Sequence, residues 1–69
     1  MKKYYHVYSF VSGNKLPTIA SCYKTKSSAL QQYKNRVDSL CWDSVILWVE
    51  IYDDNNKPIK AEKLEVYTA

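Results

Sequence analysis

The only histidine, His6, and the two cysteines, Cys22 and Cys41, are the residues whose types could support nucleophilic or acid–base chemistry. A cysteine nucleophile needs a neighbouring base, so His6 would have to reach one of the thiols through the fold. His6 lies among tyrosines, however, which favours a half-buried ring over a general base. A tetrahedral zinc site needs four ligands, one more than these residues supply. We therefore predict no catalytic residue, no metal and no cofactor.

Two other features also argue against an enzyme or an exported protein. Asp53 and Asp54 are adjacent in a predicted turn, where neighbouring carboxylates point apart, and no serine lies in a G-x-S-x-G sequence. The segment 4–11 is too short and polar for a signal peptide, and no apolar run approaches the ~20 residues of a membrane span. We expect a cytoplasmic, non-enzymatic protein whose cysteines are buried thiols rather than a bridge.

Aromatic residues are the main feature that this chain offers to a partner. It contains two tryptophans, seven tyrosines and one phenylalanine among 69 residues. Tyrosine and tryptophan dominate binding hot spots because they bury a large area at a low cost in side-chain entropy. The candidate partner-binding residues lie on two segments with strand character: Tyr4, Tyr8, Phe10, Trp48 and Tyr52.

Charge is distributed unevenly along the sequence. Residues 1–36 contain seven lysines and arginines and no acid, whereas residues 37–69 contain seven acids and three lysines. A basic half suits a single-stranded nucleic acid, whose phosphates bind lysines while its bases stack on rings. This is the alternative function, although the chain has no Gly-rich phosphate loop and no RNP-like aromatic motif. Its candidate residues are Lys2, Lys3, Lys24, Lys34 and Arg36.

The strongest structural signal is the segment 44–53, a nearly unbroken apolar run rich in β-branched and aromatic residues. It predicts a strand with two different faces. The aliphatic face, suited to the core, consists of Val45, Leu47, Val49 and Ile51. The mixed aromatic face consists of Ile46, Trp48, Glu50 and Tyr52. A turn at 54–57 then leads to a second strand at 58–67, whose charges are typical of a sheet edge.

The first half of the chain predicts another hairpin, followed by a helix. Residues 4–11 alternate as a strand, residues 12–15 form a turn in which Gly13 can adopt positive φ, and residues 16–23 return. A hydroxyl of Thr25 or Ser27 caps the helix. Its buried stripe recurs at spacings of three and four residues: Ala29, Leu30, Tyr33, Val37, Leu40 and Cys41.

Together these elements predict a single α+β domain over residues 1–69, in the order β-β-α-β-β, with one helix packed on one face of an antiparallel sheet. The alternative order is β-α-β-β, with residues 12–24 as a loop. One helix leaves the other face open or buried by a partner. His6 and Ile46 would share that face with the aromatic candidates, unless the first strand has the opposite pleat and presents Tyr5, Val7 and Val11 instead.

In size and general make-up the chain resembles the small accessory proteins of phages and mobile elements, which are compact, rich in aromatic residues and without a catalytic set. The resemblance implies a protein that binds a host macromolecule and inhibits or redirects it, as anti-CRISPR proteins do with defence enzymes. We therefore predict a binding protein with a protein partner, of which a homodimer is one form. Nucleic acid is the alternative partner, and no membrane is involved.

Overall fold

The structure, a computed structural model, describes residues 1–69 and confirms the α+β fold in the order β-β-α-β-β. Its elements are β1 (Lys2–Phe10), β2 (Ile19–Tyr23), α1 (Lys26–Asp38), β3 (Ser44–Tyr52) and β4 (Pro58–Thr68). All strand pairs are antiparallel, and the strand order across the sheet is β2-β1-β3-β4. The two hairpins therefore lie side by side and meet between β1 and β3. The basic half of the sequence forms the neighbouring strands β2 and β1, and the acidic half forms the neighbouring strands β3 and β4.

The strand boundaries differ from the predicted ones mainly in the first hairpin. β1 begins at Lys2 because Lys2 and Lys3 pair with Tyr52 and Ile51 of β3. β2 begins only at Ile19, so residues 16–18 of the predicted strand 16–23 belong to the connecting loop. Gly13 adopts a φ of 83° in this loop, as the turn prediction requires.

The core lies between α1 and the aliphatic face of β3, as predicted. Val7 of β1, Ala29 of α1, and Val45 and Leu47 of β3 are fully buried and form one cluster. Helix α1 packs on β1, β2 and β3. On β4, Leu64 is an extra residue in the ladder, because Leu47 pairs with Glu65 whereas Trp48 pairs with Lys63. Leu64 packs against the core cluster and extends it toward this edge.

A polar contact also ties α1 to the sheet. Ser9 of β1 is completely buried, and Arg36 Nη1 donates a hydrogen bond of 3.0 Å to its Oγ. Arg36 Nη2 donates a second bond, of 2.7 Å, to Ser21 Oγ on β2. Because the planar guanidinium presents several donors at once, it can link two strands to the helix. Arg36 therefore fastens α1 over the first hairpin.

Helix α1 begins as predicted but ends early. Thr25 Oγ1 accepts a hydrogen bond from the N–H of Ser28 at 3.3 Å and caps the first turn. At the other end Ser39 is the C-cap, and Leu40 follows with a φ of 59°. This left-handed residue turns the chain out of the helical period. Leu40, 81% exposed, and Cys41, also exposed, therefore do not continue the buried stripe, and that part of the prediction was wrong.

No helix in the structure is long and apolar enough to cross a membrane. The single helix, α1, has 13 residues and carries polar side chains along its outer side.

We expect Leu40→Gly to stabilise the fold by about 1 kcal/mol relative to Leu40→Ala, because a Cβ is strained at positive φ whereas glycine is not. Leu40→Ala is the matched control, since it removes the same exposed side chain and keeps the strain. Urea denaturation of the two variants measures the difference. Equal stability of the two variants would contradict the role assigned to the left-handed turn.

We expect Arg36→Lys to lower the free energy of unfolding by about 1–3 kcal/mol, because one ammonium cannot reproduce both hydrogen bonds and Ser9 is left buried with a poorer partner. The reverse exchange on the exposed side of the helix, Lys34→Arg, should change stability by less than about 0.5 kcal/mol. Thermal and urea unfolding of both variants test this. An Arg36→Lys protein as stable as the Lys34→Arg protein would exclude the anchoring role.

Candidate protein interface on the open sheet face

The face of the sheet opposite α1, here called the open face, carries the aromatic candidates. The strand register places these side chains on it: Ala20 and Cys22 of β2; Lys2, Tyr4, His6, Tyr8 and Phe10 of β1; Ser44, Ile46, Trp48, Glu50 and Tyr52 of β3; and Ala61, Lys63, Val66 and Thr68 of β4. The predicted pleat of β1 is confirmed, because Val7 is buried on the helix side. The reversed pleat is thereby excluded.

Trp48 lies at the centre of the open face. It is the β3 neighbour of His6, and the two rings stack with centroids 4.1 Å apart and planes 15° from parallel. Tyr8 meets Trp48 edge-on at 5.4 Å, with planes 88° apart. Such edge and stacked contacts stabilise a ring pair beyond the area that it buries. The indole is thus held on two sides, while the open face around it has no covering element.

A hydrogen-bonded carboxylate organises the half of the open face nearer the start of β1. Glu50 Oε1 accepts from His6 Nε2 at 2.7 Å, and Glu50 Oε2 accepts from the Tyr52 hydroxyl at 3.1 Å. Tyr52 in turn meets Tyr4 edge-on, with ring centroids 5.6 Å apart. The His6 side chain is only 14% exposed, so this network is partly shielded from water.

The pKa of Tyr52 is raised above its ordinary value of 10.0 by this environment. The largest cause is the hydrogen bond to Glu50, followed by loss of hydration and by the negative charge of the same carboxylate. All three favour the neutral phenol, since the phenol donates the bond and a phenolate would be repelled.

The other half of the open face is mostly apolar, with the hydroxyls of Ser44 and Thr68 in its last row. Ala20, Tyr8, Ile46 and Val66 lie in one row across the four strands, and Phe10 lies beyond Tyr8 on β1. Beside Trp48 and Ile46 the sheet forms a shallow groove of about 300 Å³, whose far wall is Ala61–Lys63 of β4. The small side chain of Ala61 leaves room for this groove. Val66, which pairs with Ile46, is 53% exposed.

The structure brings the five aromatic candidates together but divides the five basic ones. Lys2, Lys3 and Lys24 line one depression beside Tyr4, at the start of β1. Lys34 is exposed on the outer side of α1, and Arg36 faces the covered side of the sheet, where its guanidinium is hydrogen-bonded to Ser9 and Ser21. These five residues therefore do not form a single surface.

Sequence reasoning missed the role of Glu50 and the exposure of both cysteines. Glu50 alternates with Trp48 and Tyr52 on one face of an apolar strand, and this spacing was the available signal for a carboxylate among rings. Cys22 was expected to be buried, as was Cys41, but both are free and exposed. The expectation was wrong because β2 is an edge strand and Cys41 lies in the loop after α1. Cys22 faces His6 across the β1–β2 pair.

Several carboxylates of the acidic half serve local structure. Asp53 Oδ1 accepts from the N–H groups of Asn55 and Lys57, at 2.8 and 2.9 Å, and closes the β3–β4 turn. Asp54 pairs with the N-terminal amine at 3.1 Å. Asp43 accepts a hydrogen bond from the N–H of Ser12 and joins two loops. These three acids are therefore committed to turns, loops and the chain terminus.

No family model, curated protein or solved structure matches the chain. No group of three or more His, Cys, Asp and Glu side chains comes together in a way that could hold a metal ion. The open face offers aromatic and aliphatic area with few charges, and this is the composition of the central part of protein interfaces. Its geometry makes it the candidate site.

We expect Glu50→Gln to lower the pKa of Tyr52 toward 10, because the carboxylate supplies both the hydrogen bond and the negative charge that raise this pKa. A pH titration of ¹³C-labelled tyrosine rings by NMR measures this. Tyr33 is the internal control, since burial, and then the charge of Glu65, raise its pKa. Because the pKa of Tyr52 is raised in the folded chain, this tyrosine contributes stability that is present below pH 10 and lost as the pH rises above it. In Glu50→Gln the free energy of unfolding should therefore fall less steeply above pH 10. An unchanged Tyr52 titration would contradict the assignment.

Proposed function

We propose that this protein is a non-enzymatic protein-binding module and that the open face is its contact surface. The observation that carries the proposal is the Trp48-centred set of rings, which lies on a sheet face with no covering element. Only six of the 69 residues are buried. A domain this small gains little stability from apolar area that stays in water, so a partner that covers the open face would add burial that the fold lacks.

The rings of the open face are arranged in advance of binding. His6 and Tyr8 restrict Trp48, while Tyr4 and Glu50 restrict Tyr52. Side chains that are already restrained lose little conformational entropy on association, and this smaller loss raises the affinity for a partner. The hydrogen bonds of Glu50 to His6 and Tyr52 also limit the cost of removing this carboxylate from water.

The resemblance to phage and mobile-element accessory proteins supports a partner that is a host macromolecule. In this proposal the module modulates or inhibits that macromolecule by occupying part of its surface, as an anti-CRISPR protein does. The open face has only three charged side chains among its strand residues, Lys2, Glu50 and Lys63. This suits a partner surface of apolar and aromatic residues rather than a strongly charged groove.

A second candidate function, single-stranded nucleic-acid binding, is favoured by one observation. Lys2, Lys3 and Lys24 line the same depression as Tyr4, so phosphates and a base could be bound side by side. Lys2 Nζ, however, already donates to Asn56 Oδ1 at 2.9 Å. Asp54 forms an ion pair with the N-terminal amine next to Lys2, and its negative charge weakens the positive potential of this depression. We therefore rank this candidate second.

We expect Trp48→Ala combined with Tyr52→Ala to weaken partner binding at least tenfold, because truncation of central aromatic residues removes the largest single contributions to an interface. Leu40→Ser is the matched control, since it removes an exposed apolar side chain away from the open face. Each tagged variant captures partners from a nuclease-treated lysate, and the affinity for the purified partner is then measured. Circular dichroism establishes that the variants are folded.

The proposal fails if the folded double variant binds the partner as tightly as the wild-type protein does. A retained species that disappears with nuclease, and whose binding falls steeply with salt, would instead support the nucleic-acid candidate. In that case Lys3→Glu combined with Lys24→Glu should abolish retention, whereas the Trp48 and Tyr52 substitutions should have the smaller effect.

A further inference from the structure

We infer that the open face binds a second copy of this chain, face to face, about a two-fold axis that runs parallel to the strands between β1 and β3. The inference rests on the proposed function for the choice of contact surface, and it adds the identity of an occupant. Its arguments are the order of side chains across the open face, the distribution of charge and the available area.

The open-face side chains form rows that cross the sheet. The central row is Cys22, His6, Trp48 and Lys63. The next row toward the Phe10 end is Ala20, Tyr8, Ile46 and Val66, which is apolar apart from one hydroxyl. The next row toward the start of β1 is Tyr4, Glu50 and Ala61, which is polar at its centre. The last row at the Phe10 end is Phe10, Ser44 and Thr68, and Lys2 and Tyr52 lie together at the other end. The open face therefore has an apolar row on one side of its central row and charged side chains on the other.

A two-fold axis parallel to the strands leaves every row opposite itself. Because β1 and β3 are the two central strands, the rotation places β1 of one copy over β3 of the other. Tyr8 then lies over Ile46 of the second copy, and His6 lies over Trp48 of the second copy. Apolar rows meet apolar rows, and each such contact occurs twice by symmetry.

The same arrangement keeps like charges apart. Glu50 lies over Tyr4 of the second copy, whose hydroxyl is a hydrogen-bond donor, and Lys63 lies over Cys22 of the second copy. An axis perpendicular to the strands and through the central row would instead place Glu50 over Ile46 of the second copy. A carboxylate against an aliphatic side chain loses hydration without compensation. Only the parallel axis matches polarity along the whole face.

The area of the open face is sufficient for a weak dimer. Its strands contain nine, five, nine and eleven residues. The proposed rotation places β2 over β4 of the second copy, so only about five residues of β4 are covered. With a rise of about 3.3 Å per residue and about 4.8 Å between strands, the overlapping part of the sheet is roughly 440 Å² per copy, or about 900 Å² for the pair. This is slightly below the ~1,000 Å² expected of a stable specific interface, and it fits a weak, transient dimer. Two sheets packed about 10 Å apart, with their strands nearly aligned, form an ordinary β-sandwich.

We expect the wild-type protein to dimerise with a Kd on the order of 10–100 µM, as the modest area suggests. Sedimentation equilibrium over a range of concentrations measures it. Ile46→Lys should weaken the dimer at least tenfold, because the lysine would face Tyr8 of the second copy. Leu40→Lys makes a similar chemical change at an exposed site off the open face, and it should leave the Kd unchanged. Circular dichroism checks that both variants fold.

A cross-linking measurement tests the axis itself and does not depend on how Ile46→Lys folds. In a Cys41→Ser background, Lys63→Cys places a thiol in the same row as Cys22 but about 14 Å from it within one chain. Across the proposed interface the two thiols face each other, so a short bis-maleimide should yield covalent dimers on a denaturing gel. Adding Cys22→Ser should abolish these dimers.

Three results would overturn the inference: a wild-type protein that stays monomeric up to about 1 mM, an Ile46→Lys protein that dimerises as tightly as wild type, or cross-linking unaffected by Cys22→Ser. A monomeric wild type whose partner binding still depends on Trp48 would refute the dimer and leave the proposed function intact. A dimer with the predicted cross-links, whose binding to a foreign partner is independent of Trp48, would support the dimer and refute the proposed function.

Discussion

The coverage that one short helix can give to a four-stranded sheet is the constraint on which the rest of this structure depends. Helix α1 has 13 residues, about 20 Å of helix, and it lies over β1, β2 and β3 on one face only. The fully buried cluster is accordingly small: Val7, Ala29, Val45 and Leu47. Where α1 passes over the first hairpin, Arg36 replaces apolar packing with hydrogen bonds, and at the β4 edge the extra residue Leu64 extends the core.

The face that α1 does not cover is stabilised by contacts among its own side chains, and under the proposed function the same contacts prepare it for binding. Trp48 is restrained by His6 and Tyr8, and Glu50 satisfies both His6 and Tyr52. These contacts lower the free energy of the isolated chain and at the same time fix the side chains in advance of association. In the proposed function, the residues that stabilise this face are therefore also the residues that contact the partner.

Much of the fold and part of the site could be predicted from local pattern. The two faces of β3 follow from strict alternation in residues 44–52, and the N-cap follows from Thr25. The helix end could not be predicted, because Leu40 continues the apolar period and its side chain does not favour a left-handed backbone. The exposure of Cys22 depends on β2 being an edge strand, which is a property of strand order rather than of sequence. Glu50 gave a readable signal, but its partner His6 lies 44 residues away.

The sequence by itself determined which side chains share a face of each strand, because alternation is a local property of the extended backbone. It did not determine which of the two faces of β1 lies beside the aromatic face of β3, because the opposite pleat of β1 was compatible with the same alternation. Only the tertiary structure decided which side chains touch and where each charge ends, because strand order and register are set by contacts between distant segments. The β2-β1-β3-β4 order places His6 against Trp48 and divides the basic residues between Lys24 at a sheet corner and Arg36 beneath the helix. The uneven distribution of charge along the chain therefore does not produce a single basic surface, and the open face carries few charged side chains.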